Sequence, residues 1–128
     1  MRMGRWFVLL AALWLGAPSA RAQTPEACNA PVFLIVLVDG FDRQRAAPYA
    51  QALRSTGVVA AHGGRYRAAG EPLAVLEGEW PADRAFVVEE YPCAERALAM
   101  WNSATYQEQV KPKRAGTGRY SVILMKAR

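Results

Sequence analysis

His62 is the only histidine of the chain, and Gly63-Gly64 follows it. An imidazole suits general acid–base work near neutral pH and can also ligate haem. At the end of a helix the same residue serves structure instead, by meeting the last carbonyls and the negative end of the dipole. Glu77 stands in Leu-Glu-Gly-Glu-Trp, with Arg84 across an expected hairpin. A carboxylate beside an arginine can hold a polar substrate; it can also be a plain cross-strand ion pair. His62 and Glu77 are therefore the weak catalytic candidates. Glu89 and Glu90 are neighbours in a strand-like run, so they point to opposite faces and cannot act as facing carboxylates; one is expected to be solvated and the other paired. Tyr66, Arg84, Trp101 and Tyr106 are the candidate ligand-binding residues, because aromatic rings with a few polar groups can line a small-molecule pocket. Those rings, with Trp80, serve equally well as core. Ser103 reads as a helix cap, with no His and Asp arrangement beside it for a nucleophile. No P-loop, dinucleotide glycine motif or metal-ligand spacing occurs, and two cysteines with one histidine are too few for zinc. No cofactor and no metal are expected, haem on His62 being a minor alternative.

Those side chains must be positioned by a small exported domain. Arg2 and Arg5 form a positive n-region, Trp6 to Gly16 is uncharged and apolar, and Ala20-Arg21-Ala22 offers a cleavage site before Gln23. The apolar run is too short for a spanning helix, which needs about 20 residues. Residues 1–22 are thus expected to be a signal peptide, 23–30 an extended lead-in and 31–128 one domain, placing the protein in the periplasm or outside the cell. The chain has 16 basic and 11 acidic side chains. Arg2, Arg5 and Arg21 leave with the signal, so the mature chain keeps 13 basic against 11 acidic groups, a net of +2. So small a charge gives no reason to invoke nucleic acid, and no membrane association is expected after cleavage. The one dense basic cluster, Lys111-Pro-Lys-Arg114, reads as a solvated loop.

Along the mature chain, Pro31–Val38 is continuously apolar and β-branched, the strongest strand. Asp42 to about Ala61 is helical in character, with Pro48 in the first turn of a helix proper that begins near Ala47. Gly63-Gly64 ends it. Arg65–Ala69 is a short strand, Leu73–Glu77 resumes extended chain, and residues 78–83 form a hairpin loop. Arg84–Tyr91 is a strand and Ala94–Asn102 a short amphipathic helix. Gln107–Gly118 reads as a helix tail and loop, before a last strand over Tyr120–Met125. The order β-α-β-β-α-β is the ferredoxin-like α+β pattern, an antiparallel sheet with helices on one face. The first and last strands are apolar on both faces, whereas a sheet with one wet face alternates. A homodimer that packs the open sheet faces together would cover that surface.

Gly63-Gly64-Arg65-Tyr66, Leu76-Glu-Gly-Glu-Trp-Pro81, Asp83-Arg84, Glu89-Glu-Tyr-Pro92, Ala97, Trp101, Ser103 and Tyr106 occur in an order and spacing that resembles the DUF1330 family of the dimeric α/β barrel superfamily. The resemblance spans about Pro31 to Met125. It implies a ferredoxin-like homodimer and no particular activity, since relatives in the superfamily include small monooxygenases, haem-degrading enzymes, isomerases and plain binding proteins. The signal peptide, a shorter match around Gly40–Ala47 and the Lys-Ala-Arg end depart from the family pattern. In the ferredoxin-like topology the first and third strands are antiparallel neighbours, so Cys28, just before one, should meet Cys93, just after the other. A Cys28–Cys93 disulfide is expected. Two functions fit these readings. One is an exported protein that binds a small molecule between sheet and helices; the alternative is a cofactor-free isomerase or monooxygenase acting on a small apolar or aromatic compound.

Overall fold

The computed structural model describes residues 28–128. The signal peptide expected over residues 1–22, and the lead-in up to residue 27, lie outside the described residues. Four strands, β1 (Val32–Asp39), β2 (Arg65–Gly70), β3 (Ala85–Tyr91) and β4 (Arg119–Lys126), form one antiparallel sheet in the order β2-β3-β1-β4. There are three helices, α1 (Ala47–Thr56), α2 (Val58–Ala61) and α3 (Ala94–Asn102), and α3 is followed by a π-helical segment (Thr105–Val110) and a 3₁₀ turn (Lys111–Arg114). The architecture is the ferredoxin-like α+β fold expected from the element order.

The period of two along each strand sorts the side chains. On β1, Val32, Leu34 and Val38 are buried beneath the helices. Tyr91 and Glu89 of β3 stand opposite Val32 and Leu34, and Leu124 and Val122 of β4 stand opposite Leu34 and Val36. The core joins this face to Ala52, Val58, Val59, Ala97, Met100, Tyr106 and Val110. On the other face Phe33, Ile35 and Leu37 lie beside Phe86 and Val88 on one side and Ile123 and Met125 on the other. No helix of the described residues packs on that face; Trp80 of the loop before β3 stands edge to face with Phe86, 6.2 Å apart, while Ile123 and Met125 are about half exposed (52% and 49%).

Pro48 sits in the first turn of α1, where its missing N–H costs nothing. The single helix expected as far as Ala61 is instead divided at Gly57. This residue takes φ +60°, a conformation glycine adopts at no steric cost, and its N–H closes α1 on the Leu53 carbonyl. The break re-aims the chain so that Val58 and Val59 of α2 are both buried. A second correction concerns Leu73–Glu77. It pairs with no strand, and it belongs to one loop from Glu71 to Arg84 in which Leu73 and Leu76 are fully exposed. The stretch after α3 is also more ordered than a tail and loop. Ser103 Oγ accepts the Tyr106 N–H at 3.1 Å and donates to the Met100 carbonyl at 2.7 Å, and the π-helical segment then buries Tyr106 and Val110.

The sheet register brings Cys28 to Cys93, and the two form a disulfide with Cα atoms 5.0 Å apart. The bridge ties the chain entering β1 to the start of α3. Among the described residues no helix is long and apolar enough to cross a membrane.

Candidate functional site

The residues singled out by type do not converge. His62 caps α2, its Nδ1 2.8 Å from the Val58 carbonyl, so it takes the structural role open to a helix-end histidine. Glu77 stands exposed in the long loop. Arg84 pairs with Asp39 at 2.6 Å rather than with Glu77, because the register sets Ala85 opposite Val38 and carries Arg84 to the end of β1. Its guanidinium also lies 5.4 Å from the Trp80 ring centroid. Trp101 and Tyr106 do meet, with ring centroids 5.1 Å apart. Tyr106 is core, whereas Trp101 borders an apolar groove of about 220 Å³ beside β4, with Leu34, Leu98, Val122 and Ile123. Of the four aromatic and arginine candidates only Tyr66 reaches the apolar cavity described next.

That cavity lies between α1 and the sheet. It holds about 180 Å³ and is walled by Val36, Val38, Phe41, Ala46, Tyr49, Ala50, Leu53, Tyr66, Ala85, Val87, Glu89 and Tyr120. Its position follows from the strands: Val36, Val38, Ala85 and Val87 are the short side chains of the helix-facing rows of β1 and β3. Small residues on the sheet beneath Ala46 and Ala50 of the helix leave the layers incompletely filled. Tyr49 and Tyr120 close one side edge to face, 6.2 Å apart. Tyr66, half exposed on the edge strand β2, marks the open side.

Glu89 is the one carboxyl of the lining. It is 5% exposed, and its Oε2 accepts a 2.8 Å hydrogen bond from the Tyr91 hydroxyl. Among the described residues, Oε1 has no hydrogen-bond partner. Burial raises the Glu89 pKa above the usual carboxylate range, and the bond from Tyr91 opposes this only in part. Burial also pushes the phenols around it upward: Tyr66 to about 12, and Tyr49, Tyr91 and Tyr106 likewise upward, with the Glu89 charge adding to the shifts of Tyr66 and Tyr91. Tyr91 is fully buried, and it can take its place because Gly64 lies against its ring: a Cβ at Gly64 would come within 2.5 Å of it. Tyr91, Gly64 and the strand pair Glu89–Tyr66 thus form one support for the carboxyl.

Reading types alone missed Glu89. The expectation of one solvated and one paired glutamate holds for the pairing of Glu90, which bonds Arg65 and Arg67 at 2.7 Å each on the open face. It fails for Glu89, which is buried rather than solvated. The available signal was the alternation Ala85, Val87, Glu89, Tyr91, an apolar helix-facing row with one carboxyl in it and a phenol two residues on.

A wider depression of about 560 Å³ at the far end of the sheet is lined by Asp39, Asp83, Arg84 and Arg119. There Asp39 pairs with both Arg84 and Arg119, at 2.6 and 3.8 Å, which leaves little unspent charge for a ligand. No group of three or more metal-ligating side chains occurs among the described residues.

A four-stranded antiparallel sheet in this order, helices on one face and a pocket beneath them, defines a ferredoxin-like α+β protein. The chain belongs to the family described as Domain of unknown function (DUF1330), whose model matches residues 31–127. The crystal structure of a protein of unknown function from Rhodopseudomonas palustris is similar, with a TM-score of 0.57 at 21% identity, covering 78% of this chain and 84% of that one. The same protein in methylated form gives a TM-score of 0.58 at 23% identity, over 78% and 82% of the two chains. A conserved protein of unknown function from Bacteroides thetaiotaomicron, described as a possible oxidoreductase, has a TM-score of 0.52 at 15% identity, over 77% of this chain and 99% of that one. At these identities the likeness shows the fold alone. No curated protein matches the chain.

Proposed function

We propose that this is an exported homodimer that binds a small molecule in the cavity between α1 and the sheet. The observation that carries the reading is the cavity's make-up: apolar walls, three tyrosines and a single buried carboxyl with one oxygen free. Ligand pockets are commonly apolar with a few convergent polar groups, and a carboxyl perturbed by burial marks such a site. Export is supported by the leader-like residues 1–22 and by the Cys28–Cys93 bridge, a bond that persists in oxidising compartments. The dimer is supported by the open apolar face of Phe33, Ile35, Leu37, Val88, Ile123 and Met125, a surface of the kind that marks association.

The cavity reading is tested with a plain hydrocarbon. Ethylbenzene titrated into the protein is expected to shift the amide resonances of Val36, Ala50, Leu53 and Val87 together, saturably. Ala50→Phe, which adds a ring to the α1 wall of the cavity, is expected to abolish those shifts. Shifts that persist unchanged in Ala50→Phe would place the hydrocarbon elsewhere and defeat the reading.

A second reading, a cofactor-free enzyme on a small apolar or aromatic compound, draws on the same carboxyl. A buried glutamate with a raised pKa is a competent general acid or base. Loss of turnover in Glu89→Gln with ligand affinity retained would establish it; binding without turnover leaves the protein a binding module.

A further inference from the structure

We propose that Glu89 is the polar anchor of this cavity, and that its ligand is a small neutral molecule presenting a carbonyl oxygen on an aromatic or compact apolar body. The inference rests on the cavity being the ligand site. Size sets the first limit. The cavity holds about 180 Å³, and an apolar cavity of about 150 Å³ takes benzene. One ring with a short substituent fits; a nucleotide or a haem does not. The walls set the second limit. Val36, Leu53 and Val87 with the Tyr49, Tyr66 and Tyr120 rings offer dispersion and ring contacts over most of a guest's surface.

The carboxyl sets the third. Tyr91 donates to Oε2, and the protonated acid that keeps this bond carries its proton on Oε1. Oε1 bonds no side chain and is not sealed from solvent, so a guest acceptor can take the place of water on its O–H. None of the groups facing Glu89 bonds Oε1. Tyr66 from β2, Tyr91 from β3 itself and Tyr106 from the π-helical segment are phenols that stay protonated across the range in which a carboxyl titrates. Leu34 faces it from β1. Arg114 lies over the Tyr120 ring at 4.5 Å, and its field reaches Tyr49 and Tyr106. A guest ammonium would meet that positive field, while a guest carboxylate would bring a second acidic group against Glu89 in an apolar space.

The test uses four probes of one shape: acetophenone, ethylbenzene, 1-phenylethylamine and benzoate. Dissociation constants are measured by amide-shift titration from acid to mildly alkaline pH, for the wild type and Glu89→Gln. In the wild type at low pH, acetophenone is expected to bind roughly tenfold more tightly than ethylbenzene. The advantage should fade as pH rises through the raised Glu89 pKa, because ionisation removes the donor and sets a carboxylate against the ketone oxygen. Ethylbenzene should bind equally throughout. In Glu89→Gln the amide N–H donates at every pH, so the preference for acetophenone should persist without pH dependence. Equal affinity for acetophenone and ethylbenzene at all pH values overturns the anchor while leaving the cavity as a binding site. Tightest binding by 1-phenylethylamine or benzoate overturns the ligand class. Failure of all four to bind overturns the cavity reading and the anchor with it.

Discussion

Breaking the Cys28–Cys93 bridge is expected to lower the unfolding free energy by about 4 kcal/mol, a large share of what a domain of this size possesses. The two cysteines are 65 residues apart in sequence. Cross-linking a loop of that length removes much of the freedom of the unfolded chain, and the native chain bears the link at a place the sheet already brings together. The bridge joins the segment before β1 to the residue that precedes α3, so its loss also frees the chain entering the central strand. Urea unfolding of the oxidised protein and of the Cys28→Ser/Cys93→Ser double variant measures the difference. The midpoint should fall sharply, with β1 and α3 the first elements to lose amide protection. A change below about 1 kcal/mol would mean that the unfolded chain is little constrained by the link, and that the entry to β1 is held by its backbone bonds alone.

A single acidic residue on the open face of β1 is expected to separate the subunits of the proposed dimer. Ile35 is central: Val88 lies opposite it on one side and Ile123 on the other. In a twofold face-to-face dimer the same position enters the interface twice. Ile35→Asp would then bury two unpaired carboxylates in an apolar seam, and an uncompensated buried charge costs about 3–5 kcal/mol. The dimer dissociation constant should rise by about a hundredfold or more, since 1.4 kcal/mol corresponds to a factor of ten. Sedimentation velocity reads this directly, with circular dichroism to show that the fold is kept. Ala99→Asp, on the exposed side of α3, supplies a control that should leave the mass unchanged. If Ile35→Asp sediments like the wild type at all concentrations, the open face is not the contact.

The elements with strong local signals were legible before the structure. The apolar run of β1, the short helix α3 and the placement of Pro48 in the first turn of α1 follow from residue type and spacing. The meeting of Cys28 and Cys93 followed from topology, once β1 and β3 were taken as antiparallel neighbours. The elements misread had weak local signals. Gly57 looked like an ordinary helical residue, and only the burial of Val58 and Val59 explains why the chain turns there. Leu73, Val75 and Leu76 have strand-like character but find no partner strand.

The candidate site was harder because its chemistry is made by burial. His62 and Glu77 attracted attention by type, yet the first is occupied by the Val58 carbonyl and the second stands in an exposed loop. Glu89 shows in the sequence only as one carboxyl in the alternating row Ala85, Val87, Glu89, Tyr91. What distinguishes it is that α1 and the π-helical segment cover the strand above it, contacts that are distant in sequence. Arg84 likewise has its partner, Asp39, fixed by the end of the β1–β3 register rather than by the hairpin that seemed to offer Glu77.

The most direct test of the whole account is native mass spectrometry of the protein exported from living cells and purified without reductant, wild type beside Ala50→Phe. The expected species is a dimer of chains lacking the first 22 residues, each lighter by the two hydrogens of one disulfide. Also expected is a small retained mass that the wild type releases on denaturation and Ala50→Phe lacks. A bare monomer with free thiols, or a retained mass equally present in Ala50→Phe, would contradict it.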